Sequence, residues 1–272
     1  MACERPDKLG CSLSQWDCVE LARKLVDDGV VTSISPQTVQ RILVHHRLKP
    51  WRHHLWLSPK VPRDAEFAAR VTEVVDLYTR ELMPWEAVLC ADEKTSIQPR
   101  TRLSPTPPAQ PGLPVRVEHE YQRKGALNLF AAFDTRSGHV YARTALRKRQ
   151  VEFIAFLEQL DSEIPETITA IHVVLDNLRM HKGKQVLAWL AQHPRFVFHF
   201  PPVHCSWMNQ VEQWFSILQR KRLRIADFAD LAALEERLMA FVAQWNHHAH
   251  PFNWSTKSVA KVMAQCEGRL AA

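Results

Sequence analysis

The chain has 272 residues, 46% of them hydrophobic and 24% charged, enough for one large domain or two modest ones with a real core. A formal net charge of +6 and a pI near 9.1 favour a polyanionic partner. No basic region followed by an apolar run opens the chain and no stretch of about 18 apolar residues occurs, so neither a signal peptide nor a membrane span is expected, and a cytoplasmic location is.

The six cysteines form no CxxC pair and read as reduced thiols, not a zinc site. Residues 14–28 carry Val19, Ala22, Leu25 and Val26 at helical spacing, closed by Gly29. After a short break Ser35 stands as an N-cap, with Pro36 at the first position of a second helix. Val39, Ile42, Leu43 and Val44 or His46 are expected to face inward. Gln37, Thr38, Gln40, Arg41 and His45 face outward. Two short helices around a tight turn fit a helix-turn-helix, whose second helix meets base edges with its N-terminal residues. Glutamine and arginine suit bidentate base contacts. A plain helical hairpin with a solvated polar face fits the same pattern. The basic aromatic stretch 48–60 suits either DNA phosphates or a linker anchored by Trp51 and Trp56. Read as a DNA-binding module, residues 12–60 would make contact through Ser35, Gln37, Thr38, Gln40, Arg41, Lys49 and Arg52.

A connecting helix is expected within 61–84, with Phe67, Val71, Val74, Val75 and Tyr78 as its apolar stripe. Strands follow: 86–96, then a hairpin of 126–135 and 139–146, separated by a proline-rich segment that reads as a long loop. A helix over 149–164, a strand over 169–177, a helix over 182–193 and a strand over 195–200 come next. Two long helices, 209–224 and 230–248, end the pattern. This order predicts an α/β fold, a ribonuclease-H-like mixed sheet flanked by helices, with a small all-α helix-turn-helix module at the N-terminus. In such a sheet the first and fourth strands are neighbours. Asp92 and Asp176, each read as closing an apolar strand, would then share one sheet end. Glu212, at the edge of the arc Val211, Trp214, Phe215 and Leu218, would look into the same cleft.

Each acid alone has an ordinary structural explanation: a turn for Asp92, an Asx turn for Asp176-Asn177, complementing the helix dipole for Glu212. Together they suggest hard oxygen ligands for magnesium and phosphoryl transfer with two ions. Glu93 is expected on the opposite face of its strand, and Asp134 is a competing strand-end acid.

The segments DEKTSIQ around Asp92, VLDNLRMHKG around Asp176 and PPVHCSWMNQVEQWFS around Glu212 resemble the DDE endonuclease domain of mariner-superfamily transposases, above all the bacterial insertion-sequence branch. SISPQTVQRILVHHRLKPWR resembles the end of that branch's DNA-binding region, so the resemblance covers about residues 12–255. It implies a transposase whose catalytic, metal-holding triad is Asp92, Asp176 and Glu212, using two Mg²⁺ ions for which Mn²⁺ can substitute. Asn177, His181, Lys182, His204 and Asn209 match flanking positions that support the triad or contact phosphate. A helix cap for Asn209 and a satisfied histidine for His204 are the alternatives. The implied partners are double-stranded DNA, as terminal inverted repeats and target, and a second copy in a homodimer. The implied catalytic domain is 85–255, with 256–272 as a tail. The resemblance starts partway through the family's DNA-binding region, as though the first helix-turn-helix were lacking. A non-catalytic remnant that occupies inverted repeats and a structure-selective nuclease are the rival readings.

Overall fold

The computed structural model describes residues 1–52, 64–104, 106–203, 205–254 and 260. Of the expected features, His204, Trp56 and nearly all of the tail lie outside the described residues. The chain divides into two compact units, Met1–Ser58 and Pro59–Ala272.

The first unit contains helices α1 (Cys18–Asp27) and α2 (Pro36–His45). Both starts follow from their caps. The Asp17 carboxylate accepts from the amides of Val19 and Glu20, each at 2.8 Å, and the Ser35 hydroxyl accepts from Thr38 at 3.1 Å. Trp16, Leu21, Ala22, Val39 and Leu43 form the core. The expected inward face of α1 is therefore misplaced: Val19 and Val26 are exposed, and Leu21 is buried beside Ala22. On α2, Ile42, Val44 and His46 are also exposed. Two ten-residue helices bury only one narrow stripe between them, which Val39 and Leu43, four residues apart, already fill. Gln37, Gln40, Arg41, His45, Lys49 and Arg52 are exposed, and Thr38 is half-buried.

The second unit opens with α3 (Ala65–Thr79), capped by Asp64, which accepts from the Phe67 amide at 2.9 Å. Its buried stripe is Phe67, Val71, Val74, Leu77 and Tyr78, with Leu77 in place of the half-buried Val75. The helix stops short of 83 because Arg80 turns extended and forks onto Glu86, both bonds at 2.8 Å. Strand β1 (Glu86–Ile97) follows. In the proline-rich segment, expected to be loop, Arg100–Thr101 (β2) pairs with Gln122–Arg123 (β3). Prolines supply no amide for a ladder, so the pair is only two residues long.

Strands β4 (Leu127–Asp134) and β5 (Val140–Ala145) form the expected hairpin. Helix α4 (Gln150–Glu163), β6 (Ala170–Val174), α5 (Lys184–Gln192) and β7 (Phe196–His199) follow. The sheet order is β5-β4-β1-β6-β7, with β4 antiparallel to both neighbours and β6 and β7 parallel to β1. This is the ribonuclease-H-like mixed sheet. Alternation along β1 divides the core. Leu89 and Ala91 join Phe130, Phe153, Phe156 and Leu157 of the α4 side. Val88 and Cys90 join α3, α6 (Val211–Leu218) and α7 (Leu231–His247) on the other.

The long helix expected over 209–224 ends as an α-helix at Leu218 and continues as a π-turn over Gln219–Leu223. After Leu218 the next apolar residue is Leu223, five positions on. A five-residue turn returns it to the core, against which it is partly buried.

Candidate functional site

Register brings the first two acids together. The parallel ladder between β1 and β6 ends at Cys90 opposite Val174. Two residues further along each segment stand Asp92 and Asp176, near enough for each charge to act on the other. Asp92 is not at the end of its strand, as expected, because β1 runs on to Ile97 paired with β4 alone, Asp92 opposite Ala131. Asp92 closes the β6 side of the strand only. Asp176 lies in the turn after β6, where its carboxylate accepts from the Leu178 amide at 3.0 Å. Glu212 is exposed in the first turn of α6, beside the buried arc Val211, Trp214, Phe215 and Leu218.

The electrostatics reflect this convergence. Burial raises the Asp92 carboxyl, and the nearby charges of Glu93, Asp176 and Glu212 add to it, against one hydrogen bond at 2.7 Å from the Glu93 amide; the result is about 8. Asp176 stands below its ordinary range: burial opposes its charge, but bonds from His181 and the Leu178 amide outweigh it.

His181 lies in a single 3₁₀ turn, Arg179–Lys182, between β6 and α5. Its Nδ1 is 3.0 Å from the Asp176 carboxylate and its Nε2 is 2.9 Å from Glu93 Oε1. The His181 side chain is 0% exposed and that of Glu93 1%, so the pair is sealed from water, with the Phe153 ring 4.6 Å from the imidazole. Burial opposes a charge on His181, but the bonds to Asp176 and Glu93 raise it to about 9. Glu93 does point to the face opposite Asp92, and there it meets His181. The sequence placed Glu93 on that opposite face but gave it no partner. The signal for its role was a carboxylate at a core-facing position of an apolar strand, which requires a buried partner.

The other expected residues serve the loops. Asn177 donates to the Pro201 carbonyl at 2.5 Å and accepts from Lys182 at 2.8 Å. The Lys182 ammonium also lies 4.2 Å from the centre of the Phe200 ring. Asn209, buried, donates to the Ala91 carbonyl at 2.9 Å, tying the start of α6 to β1 next to Asp92. The Tyr78 hydroxyl, which the sequence did not suggest, donates to the Met208 carbonyl at 2.9 Å and fixes the same corner. Asp134 is structural: it accepts from the Arg136 amide at 2.8 Å and the Ser137 hydroxyl at 2.7 Å in the β4–β5 turn.

Among the described residues, no group of three or more acidic, histidine or cysteine side chains stands close enough together to hold a metal ion. The donor set nevertheless fits a hard divalent cation. Burial, with the charges of Glu93, Asp176 and Glu212 added, holds the Asp92 carboxyl near 8, and a bound cation would relieve that cost. An open set of this kind suits magnesium, which keeps waters and takes only one or two carboxylates plus phosphate oxygens.

A family model described as DDE superfamily endonuclease matches residues 87–235, a span that contains Asp92, Asp176 and Glu212. The chain belongs to this family. It is 25% identical over 134 residues to the insertion element IS630 uncharacterized 39 kDa protein of Shigella sonnei, a match spanning 49% of this chain and 38% of that protein. Among solved structures, the mariner Mos1 paired end complex with Mg matches with a TM-score of 0.51 and 14% identity, covering 90% of this chain and 70% of that one. The Mos1 complex with Mn matches with a TM-score of 0.53 and 15% identity, covering 84% and 67%. The likeness to Mos1 is one of fold. Among the described residues, no helix is long and apolar enough to cross a membrane.

Proposed function

We propose that this chain is a DNA transposase that cuts at terminal inverted repeats and joins the freed ends to target DNA, with two divalent cations held by Asp92, Asp176 and Glu212. The observation that carries the reading is that Asp92 and Asp176 each stand two residues beyond the paired Cys90 and Val174, with the half-buried Asp92 within reach of the Asp176 and Glu212 charges. Family membership supports it, as does the likeness in fold to the mariner Mos1 paired end complexes with Mg and with Mn.

Asp92, Asp176 and Glu212 would hold the cations, whose chemistry would be to activate a water or 3′-hydroxyl and offset charge on the leaving oxygen, so no protein nucleophile would be needed. The chain's own residues do the positioning. His181, pinned between Glu93 and Asp176, fixes the carboxylate's orientation, as a buried partner does for a ligand in many metal sites. Asn209 and Tyr78 hold the start of α6, and so Glu212, against β1. Lys148 lies close enough to act on the Asp176 charge and is a candidate phosphate contact. Residues 85–255 are the catalytic domain in this reading. In the module over 12–60, Gln37, Gln40 and Arg41 face base edges, and Lys49 and Arg52 face phosphates. Two copies would hold the two ends together.

The test is strand cleavage of labelled DNA carrying the sequences that flank the gene, with Mg²⁺ or Mn²⁺, beside EDTA and an Asp176→Ala variant. Cleavage at the ends that vanishes in both controls is expected. Binding without cleavage would replace this reading with that of a non-catalytic occupant of the repeats. Equal nicking of unrelated branched DNA would replace it with a structure-selective nuclease.

A further inference from the structure

Two backbone irregularities lie next to the carboxylates. The register of β1 on β4 slips between Lys94 and Ile97, so that Thr95 and Ser96 together oppose Asn128. Ser96 sits at φ 55, in the left-handed region, and its amide donates to Asn128 Oδ1 at 3.3 Å. A bulge of this kind re-aims side chains, and a strained non-glycine backbone is kept where the surroundings hold it. The second irregularity is the π-turn Gln219–Leu223, a geometry frequent at functional sites.

Both irregularities line one pocket of about 120 Å³. Its apolar members are Ile97, Ala226 and Phe228, all buried, and the partly buried Leu223. Its polar members include Lys94, Gln98, Arg100 and Gln219, and no acidic residue lines it. Among the described residues, the Lys94 ammonium makes no hydrogen bond or ion pair, although it is half-buried and within range of the Glu212 charge. Lys94 follows Asp92 by two residues on the same face of β1, which places it about 7 Å further along the strand. That distance is about the reach of one nucleotide of an extended chain.

We propose that this pocket is a phosphodiester subsite for the bound DNA strand, one nucleotide from the phosphate at the carboxylates, with Lys94 as its charge and Arg100 and Gln219 as flanking donors. The inference rests on DNA being the substrate. A lysine with no hydrogen-bonded or ion-paired partner, an arginine and two amides match a phosphate's oxygens, and with no acid in the lining and only Glu212 acting on Lys94 from outside it, an anion meets less repulsion here than at the carboxylate cluster.

The experiment is anisotropy of labelled end DNA with the full chain in EDTA, using oligonucleotides with a single methylphosphonate at successive positions around the cleavage point. The proteins are the wild type, Lys94→Met and Gln219→Ala, each checked for an unchanged melting temperature. Gln219 is exposed, so its variant serves if Lys94→Met does not fold. One neutralised phosphate is expected to weaken wild-type binding about tenfold. Lys94→Met should lose a similar factor on unmodified DNA, shed about 0.9 from the slope of log K on log salt, and become indifferent to that phosphate. Gln219→Ala should reduce the penalty at the same position. The proposal is overturned if both variants bind like wild type, if every methylphosphonate costs all proteins the same, or if wild type binds no DNA. Cleavage by wild type without this coupling would remove the subsite and leave the transposase reading. Coupling without cleavage would do the reverse.

Discussion

Asp92→Asn should stabilise the metal-free protein while abolishing cleavage, and the gain should grow with pH. Burial and three neighbouring carboxylates hold Asp92 at about 8 in the fold, against an ordinary value of 3.8. A folded value above the unfolded one means that stability is fully present below about pH 4 and is lost as pH rises through 8. At 1.36 kcal/mol per unit, the loss is about 4 kcal/mol at pH 7 and about 6 kcal/mol above pH 8. Asparagine keeps an oxygen for the Glu93 amide, now bonded at 2.7 Å, and carries no charge. Urea denaturation of both proteins in EDTA should give similar midpoints near pH 4 and a stability gap of several kcal/mol near pH 9. Added Mg²⁺ or Mn²⁺ should raise the melting temperature of wild type, because bound ions favour the folded state, and should hardly move Asp92→Asn. Equal stability of the two proteins at pH 9 would refute the claim that the carboxylates crowd one another. An equal shift with metal would refute the assignment of Asp92 as a ligand.

Glu93→Gln keeps an acceptor for His181 but exchanges a charged bond for a neutral one, and should cost about 1–2 kcal/mol. His181 is raised to about 9, so its contribution is present below pH 6.5 and lost as pH rises through 9. The gap between Glu93→Gln and wild type should therefore close in alkali, as urea curves at pH 6 and pH 10 would reveal; a constant gap would contradict the pairing. Asn209→Ala strands the Ala91 carbonyl and should cost about 1–3 kcal/mol, with a weaker metal-induced shift in melting temperature as the start of α6 loosens. Arg41→Ala, on the exposed face of α2, should weaken binding to end DNA about tenfold more than to unrelated DNA of the same length. An equal loss on both would make Arg41 a phosphate contact.

Apolar periodicity located every large element of the second unit, because strands buried on both faces and an amphipathic α6 leave strong signals. The adjacency of β1 and β6 followed from element order, and Asp92 and Asp176 then had to lie near one another. The local errors have local causes. Ten-residue helices offer several apolar stripes, and only packing chose Leu21 over Val19. The end of α6 depended on Leu223 standing five residues after Leu218, a spacing that helical templates do not contain. The strand expected over 86–96 is present as Glu86–Ile97, but Asp92 ends only the apolar run within it, because the residues after it are polar. β4 nevertheless carries the ladder to Ile97, and the polar run forms the bulge.

The two adjacent acids of β1 show why chemistry cannot be assigned from a residue type alone. Asp92 and Glu93 are consecutive carboxylates in one strand, and alternation sends them to opposite faces. On one face, Asp92 meets Asp176 and Glu212, so burial and repulsion leave it in want of a cation. On the other, Glu93 enters the α4–α5 side of the core, where removing its partner would strand a buried charge at a cost of about 3–5 kcal/mol. His181 meets that need, and its other nitrogen reaches back to Asp176. One imidazole thus links the two faces of the sheet: the charge that neutralises Glu93 also holds Asp176 ionised and oriented. Exchanging the two acids would place the shorter aspartate opposite His181 and the longer glutamate among the carboxylates. It should therefore loosen both the core pairing and the site, although the composition of the chain would be unchanged.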